Sequence, residues 1–287
     1  MGRKVEALAP HRHESEETMK KAQPPSATYV YCVVRGARAP SLARVPSGLP
    51  GASPPRSVRV SPTLWLVASD APLDRYGESA IHEGLQKLEW VAECAAGHER
   101  VVEHVSRAST VVPMKLFTLF TDDARAVSNA RRLAGRIERI AARIDGCAEW
   151  GVRVHLDQQR ALVQARERVA SRIDRSANGT TFLLRKKAEH TGAQEILRAA
   201  RREAEHAFAD IDNGARESVR RPPISGEVAS RVLLDAVFLV RVKTADKFRT
   251  AVTRAQRSLS KNGCEVTVSG PWPPYHFVGR NGRTSKQ

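Results

Sequence analysis

GPWPPYHFV, residues 270–278, decides how the last strand of this chain must leave its sheet. Three prolines within four residues, Pro271, Pro273 and Pro274, exclude a helix and a central strand there. Proline has a fixed φ and no amide hydrogen to give to a ladder. Gly270 puts a flexible joint before that rigid stretch. Trp272, Tyr275 and Phe277 add large apolar area to backbone that can only extend or turn. Aromatic residues make up 5% of the chain, yet three fall in this nonamer. Two readings follow. One is a proline-stiffened strap pinned over a core by its rings. The other is a partner-docking surface. The strap reading buries the Trp272 ring against the C-terminal half, and an exposed ring favours docking.

Working back from the strap, CEVTVSG reads as the strand that delivers the chain to it. Asn262-Gly263 ends a preceding helix over residues 245–261, whose Phe248, Val252, Ala255 and Leu259 fall on one face. LLDAVFLVRV, residues 233–242, is a buried strand. Asp235 within it requires an arginine or backbone amide partner, or else a strand-end position. Residues 158–221 are helical in composition, with a break at residues 176–181. CAEWGVRVHL alternates, with Trp150, Val152, Val154 and Leu156 on one side and Arg153 and His155 on the other, as a half-buried strand does. Strand, helices, strand, helix, strand is the order of a split βαβ of ferredoxin-like type.

The first half is less regular. ATYVYCVV, residues 27–34, is apolar on both faces and reads as a central strand. Tyr29, Tyr31 and Val33 fall on one face, and Val30, Cys32 and Val34 on the other. Residues 35–56 form a basic loop region, and no acid occurs from Lys20 to Arg59. Residues 57–69 read as one strand broken or bulged at Ser61-Pro62. Ile81, Leu85, Leu88 and Ala92 make the stripe of a helix over residues 79–96 that Gly97-His98 ends. A second helix covers residues 98–107. Residues 109–120 have strand composition, and Pro113 demotes that strand to an edge or a kinked strand. Thr121-Asp122-Asp123 starts a helix that runs to about Ile144.

The expected fold class is α+β with two domains. Residues 1–26 are a disordered tail and residues 27–145 an N-terminal α/β domain. Residues 146–278 are a ferredoxin-like domain with a long helical insertion, residues 158–221, and residues 279–287 are a second tail.

The net charge of +16 favours an acidic partner such as nucleic acid, an anionic membrane surface or an acidic protein. Cys32, Cys94, Cys147 and Cys264 are far apart, with no CxxC for zinc or redox chemistry. Three of them sit among apolar residues, as reduced core cysteines of a cytosolic protein do. The N-terminus has charges throughout and no apolar centre, unlike a secretory signal. No apolar run approaches the roughly 20 residues of a membrane helix. No phosphate loop, dinucleotide fingerprint or nucleophile elbow occurs. His98 and Glu99, with Glu103, read as part of a surface salt-bridge cluster with Arg100 and Arg107 rather than as metal ligands. No catalytic set, cofactor or metal is expected. The alternative function is nucleic-acid binding on an RRM-like sheet, with Trp150 and Phe238 as its stacking aromatics. Neither strand carries the RNP1 pattern.

Several stretches, in order, resemble the gas vesicle proteins GvpL and GvpF. They are YVYCVV, LWLVASD, GHERVVEHV with VVPMKLFTLFTDD, EWGVRVHL, FLLRKK, DAVFLV and GPWPPYHFV. The residues that carry the resemblance are His98, Glu99, Pro113, Phe117, Trp150, Gly270, Pro271, Trp272, Pro273, Pro274, Tyr275 and Phe277. The family commonly has Phe-Gly where this chain has Phe117-Thr118. The resemblance implies a cytoplasmic, non-catalytic, two-domain protein of gas vesicle formation. Its implied partners are the small hydrophobic shell protein and other vesicle accessory proteins.

Overall fold

The computed structural model describes residues 25–157, 159–161, 163, 167, 180–222 and 232–279, with the side chains of residues 180–193 left aside. Chain order begins with β1 (Ser26–Arg35), β2 (Arg56–Arg59), β3 (Leu64–Pro72), α1 (Leu73–Tyr76), α2 (Glu78–Gly84) and α3 (Leu88–Ser106). It continues with β4 (Thr110–Pro113), β5 (Leu119–Phe120), α4 (Asp123–Arg132), α5 (Ala134–Ile144) and β6 (Cys147–Leu156). The remaining elements are α6 (Thr180–Asn213), β7 (Glu217–Arg220), β8 (Val232–Arg241), α7 (Ala245–Ser260), β9 (Cys264–Trp272) and α8 (Tyr275–Val278). The strands make two sheets with antiparallel pairing throughout. One runs β2-β3-β1-β4, with β5 also on β1, and the other runs β7-β8-β6-β9.

The two sheets share a middle layer of helix. Ile137, Ala141 and Ile144 of α5 pack on Val30, Val33 and Leu66 on one side and on Val237 and Leu239 of β8 on the other. The outer face of the first sheet carries Val101, Val102 and Val105 of α3. The outer face of the second carries Ile196, Ala200 and Ala204 of α6 with Phe248, Val252 and Leu259 of α7. The molecule therefore stacks helix, sheet, helix, sheet, helix. Strands covered on both faces must be apolar on both, and β1 is buried from Ala27 to Val34.

Several local expectations change. β1 pairs β3 with a register shift between Val30 and Cys32, so one extra residue, Tyr31, sits in a bulge. The bulge moves Val33 to the face of Val30 and leaves Tyr29, Tyr31, Cys32 and Val34 on the other. Residues 57–69 are not one strand but the hairpin of β2 and β3, closed by Val60 and Ser61 amides donating to the Leu64 carbonyl. The helix expected over residues 79–96 breaks after α2, and Leu85 and Leu88 stand exposed at 52% and 83%. Gly97 does not stop α3. A Cβ there would lie 2.3 Å from the Gly48 carbonyl oxygen, so this glycine permits a close crossing rather than a helix end. The helix from Asp123 is interrupted at Leu133 and becomes α4 and α5. Asp122 does cap it, with Oδ1 accepting from the Arg125 amide at 2.8 Å. That amide bond holds the Asp122 carboxyl below its usual range. Inside the region expected to be helical, Glu217–Arg220 forms a strand on β8. YHFV is a single helical turn, not extended chain. Of the proposed break at residues 176–181, residues 176–179 lie outside the described residues and Thr180 and Thr181 already belong to α6; almost all of both proposed tails also lie outside them.

Asp235 meets the expectation of an arginine partner twice. Arg153 reaches its Oδ2 from Nε (3.1 Å) and Nη2 (2.8 Å), and Arg221 reaches Oδ1 from Nε (2.7 Å). Cys32, Cys94 and Cys264 are buried and free, and burial pushes the Cys264 thiol up to about 11.

Candidate functional site

The strap 270–278 crosses from the edge of the second sheet to the first. It leaves β9 beside β6, where Trp272 is the register partner of Glu149. Gly270 has φ 109, a region open to glycine, and its Cβ position lies 2.6 Å from the Glu149 carbonyl oxygen. Glu149, buried on β6, takes the His276 amide at 2.9 Å on Oε2 and faces His276 Nδ1 at 2.6 Å with Oε1. Phe277 is 1% exposed in the middle layer, and the Arg143 guanidinium donates to its carbonyl oxygen. Tyr275 places its ring 6.2 Å from His98 of α3. The backbone of the strap is thus fastened to both sheets and to α5.

His98 is not on the surface, as its sequence setting suggested. It is 4% exposed beneath the first sheet, and its Nδ1 lies 2.5 Å from the Tyr29 hydroxyl. Burial lowers the His98 pKa to about 4, while burial raises that of Tyr29. The ring is therefore neutral and the phenol protonated. The Tyr29 hydroxyl and His98 Nδ1 share one hydrogen bond whose direction follows the ring tautomer, and His98 Nε2 is buried without a hydrogen-bond partner. Tyr31 stands edge-on to Tyr29 at 4.8 Å, donates to Ser69 Oγ at 3.2 Å and accepts the Leu49 amide at 3.1 Å. Glu99 sits beside the Tyr275 hydroxyl. Burial raises its carboxyl pKa, and Glu103 and Glu149 add to the effect. Of the expected surface cluster, the Arg107–Glu103 pair at 2.9 Å is present. This buried network was missed from sequence, although two tyrosine hydroxyls in an apolar strand demand partners.

Pro113 lies on edge strand β4 opposite Cys32, but the strand expected over residues 109–120 is two, β4 ending at Pro113 and the short β5 at Leu119–Phe120. Phe117 holds φ 61, uncommon for a bulky side chain, and stacks on Trp90 at 5.2 Å. Trp150 and Phe238 both pack on Phe248 under α7, at 6% and 0% exposure. Neither is available to stack a base, so the RRM-like reading loses its platform.

Trp272 overturns the expectation of a buried ring. It is 44% exposed. With Pro271, Pro273 and the exposed Val242 it lines a groove of about 630 Å³, whose remaining lining is mixed, with Val111 and Ile144 beside Glu103, Arg107, Thr110 and Asp145. On the far side of the strap, a second groove of about 270 Å³ runs between β1, α4 and α5 and ends at Val278 and Gly279. Its lining is almost wholly apolar, including Met114, Phe120, Leu133 and Ile140. Its charged members are Lys115 and Arg136. Prolines and buried side chains fix the strap in place, with a mixed groove at Trp272 and an apolar one at Val278. That arrangement suits binding of another apolar surface. Among the described residues, no group of three or more His, Cys, Asp or Glu side chains is placed to hold a metal ion, and no helix is long and apolar enough to cross a membrane.

The chain matches, over residues 27–279, the family described as gas vesicle synthesis protein GvpL/GvpF. It is 30% identical over 261 residues to gas vesicle protein L of Streptomyces sp. (strain CB03234), covering 88% of this chain and 92% of that one. It is 26% identical to gas vesicle protein L2 of Halobacterium salinarum, covering 91% and 95%. The crystal structure of GvpF from Anabaena sp. PCC7120 superposes with a TM-score of 0.64 at 14% identity, over 91% of this chain and 99% of that one. GvpF from Microcystis aeruginosa superposes with a TM-score of 0.62. With its fold shared by GvpF and its sequence by the L proteins, this chain belongs to the GvpL/GvpF family, and its role lies in gas vesicle formation.

Proposed function

We propose that the protein is a cytoplasmic, non-enzymatic assembly factor that binds the small hydrophobic gas vesicle shell protein and other vesicle accessory proteins. The observation that carries this reading is the apolar groove between β1, α4 and α5 at the end of the fastened strap, with Trp272 exposed at 44% in a second, mixed polar and apolar groove. A shell subunit with an apolar gas-facing side aggregates if left in water. A protein that covers that side on a rigid apolar surface keeps the subunit available for addition to the shell. We also take residues 27–145 as the N-terminal α/β domain and residues 146–278 as a ferredoxin-like domain. The strand order β7-β8-β6-β9 supports this, being the order of a split βαβ unit with two crossover helical segments. Co-purification of the tagged protein with the shell subunit tests the reading. The expected result is a complex that Trp272→Ala or Ile140→Asp weakens. Wild-type protein that retains neither the shell subunit nor any other vesicle protein contradicts it. A salt-sensitive gel shift on nucleic acid in its place favours the charge-driven alternative.

A further inference from the structure

The groove between β1, α4 and α5 has a rim as distinct as its floor. Leu133, Ile137 and Ile140 line one flank at helical spacing, and Met114 and Phe120 belong to the other. Every charged residue that lines it is basic. Lys115 stands on the β4–β5 connection and Arg136 on α5, both exposed. Neither has an acidic partner among the described residues. Arg132 adds a third cation, donating to Asn129 of the lining at 2.7 Å. The acids of α4 and α5 are engaged elsewhere. Asp123 accepts from Thr28 and Arg56 at 2.7 Å, and Glu138 accepts from Thr63 at 3.0 Å. The chain's own continuation lacks the chemistry to complement this rim. Residues 280–287, RNGRTSKQ, follow Gly279 at the end of the groove with three basic residues, no acid and no large apolar side chain. A second copy set rim to rim would oppose like charges.

We infer that this groove takes an acidic amphipathic segment of a partner protein. Apolar side chains of that segment enter beside Leu133 and Ile140, and Asp or Glu side chains next to them meet Lys115 and Arg136. A groove of about 270 Å³ admits a few side chains of one segment rather than a folded domain. An amphipathic helix suits it, because its apolar side chains recur in a row on one face, with its polar side chains beside them. The two kinds of contact divide the work. Burial of the apolar side chains holds the segment. Exposed ion pairs add little affinity each, but they select the partner by charge and speed encounter. Association therefore weakens as salt rises. The assignment rests on the apolar docking proposed above, and the added element is the sign of the charge the partner carries.

Fluorescence anisotropy of the full chain with two short labelled peptides tests it. One peptide carries leucine on one face of a helical repeat and glutamate on the other, and the second has lysine for every glutamate. The acidic peptide is expected to bind and the lysine peptide is not. Lys115→Glu combined with Arg136→Glu is expected to weaken the acidic peptide by roughly tenfold and to admit the lysine peptide. Lys247→Glu combined with Arg254→Glu makes the same charge change on the exposed face of α7 and is expected to leave binding near that of the wild type. Thermal melts establish that both double variants fold. Failure of the acidic peptide to bind, equal binding of the two peptides, a loss from the α7 pair as large as from the groove pair, or a gain in affinity when residues 280–287 are removed overturns the inference. Pull-down of the shell subunit separates this result from the proposed function. Retention that needs Ile140 but is indifferent to Lys115 and Arg136 overturns the acidic partner alone. Charge-dependent peptide binding without retention of the shell subunit supports the acidic partner and counts against the shell subunit as its source.

Discussion

The Tyr29 hydroxyl and His98 Nδ1 lie 2.5 Å apart, both buried between the first sheet and α3. The bond ties the central strand β1 to the helix that also meets the strap through Tyr275. Burial holds His98 at about 4, well below its ordinary 6.5. The folded protein therefore binds fewer protons here than the unfolded chain between those values. Stability falls as pH drops from about 6.5 to about 4 and is unaffected by this group above 6.5. The full effect is on the order of 3 kcal/mol. Glu99 acts with the opposite sign, because its raised pKa makes the folded state bind more protons at acid pH. Urea melts across this range are expected to flatten for His98→Gln and to steepen for Glu99→Gln.

Gly97→Ala sets two effects against each other. In a free helix alanine is favoured over glycine by about 1 kcal/mol. Here the added Cβ meets the Gly48 carbonyl oxygen at 2.3 Å, backbone that has no side-chain freedom to yield. The crossing must open, at a cost of roughly 1–3 kcal/mol. Thermal denaturation is expected to report a net loss of stability.

Asp235→Ala removes the shared carboxylate of Arg153 and Arg221. Losing one partner of a fully buried pair costs about 3–5 kcal/mol. Both arginines are about one-third exposed and regain water, so a loss nearer 2 kcal/mol is expected by chemical denaturation. Asp235→Asn keeps some of the bonds and loses less.

Much of this fold was legible in sequence, and the reasons are local. Clean alternation marked β6, the one-faced stripe of Phe248, Val252, Ala255 and Leu259 marked α7, and the buried apolar run marked β8. Pro113 marked an edge, and Asp235 in an apolar strand demanded its arginines. Long-range packing accounts for most of what was missed. Gly97 reads as a stop signal until Gly48 is seen against it. The bulge at Tyr31 reverses which face Val33 serves, and only the register with β3 reveals it. His98 looked exposed among charged neighbours because α3 alternates a buried face with a solvated one. β7 is four residues inside a stretch of helical composition, too short for periodicity to separate. The strap was recognised as decisive, but the two sides of its rings were not. Phe277 and His276 do the fastening, which frees Trp272 to remain in solvent.

Trp272→Ala should separate stability from binding. At 44% exposure about half of the ring still packs, so its loss costs roughly 1–2 kcal/mol, while Glu149 and Phe277 continue to hold the strap. The melting temperature is expected to fall by only a few degrees, while retention of vesicle proteins in a pull-down falls strongly. Glu149→Ala is the converse, removing the His276 amide and ring contacts and loosening the strap. Faster hydrogen exchange at residues 275–278 is the expected readout.

The claim that this protein shields an apolar shell subunit is tested most directly by light scattering. Denatured shell protein is diluted into buffer with the full chain at equimolar amount. The account predicts that scattering is suppressed by the wild type and largely returns with Trp272→Ala and Ile140→Asp combined. Scattering that rises as fast with the wild type as in buffer alone contradicts it.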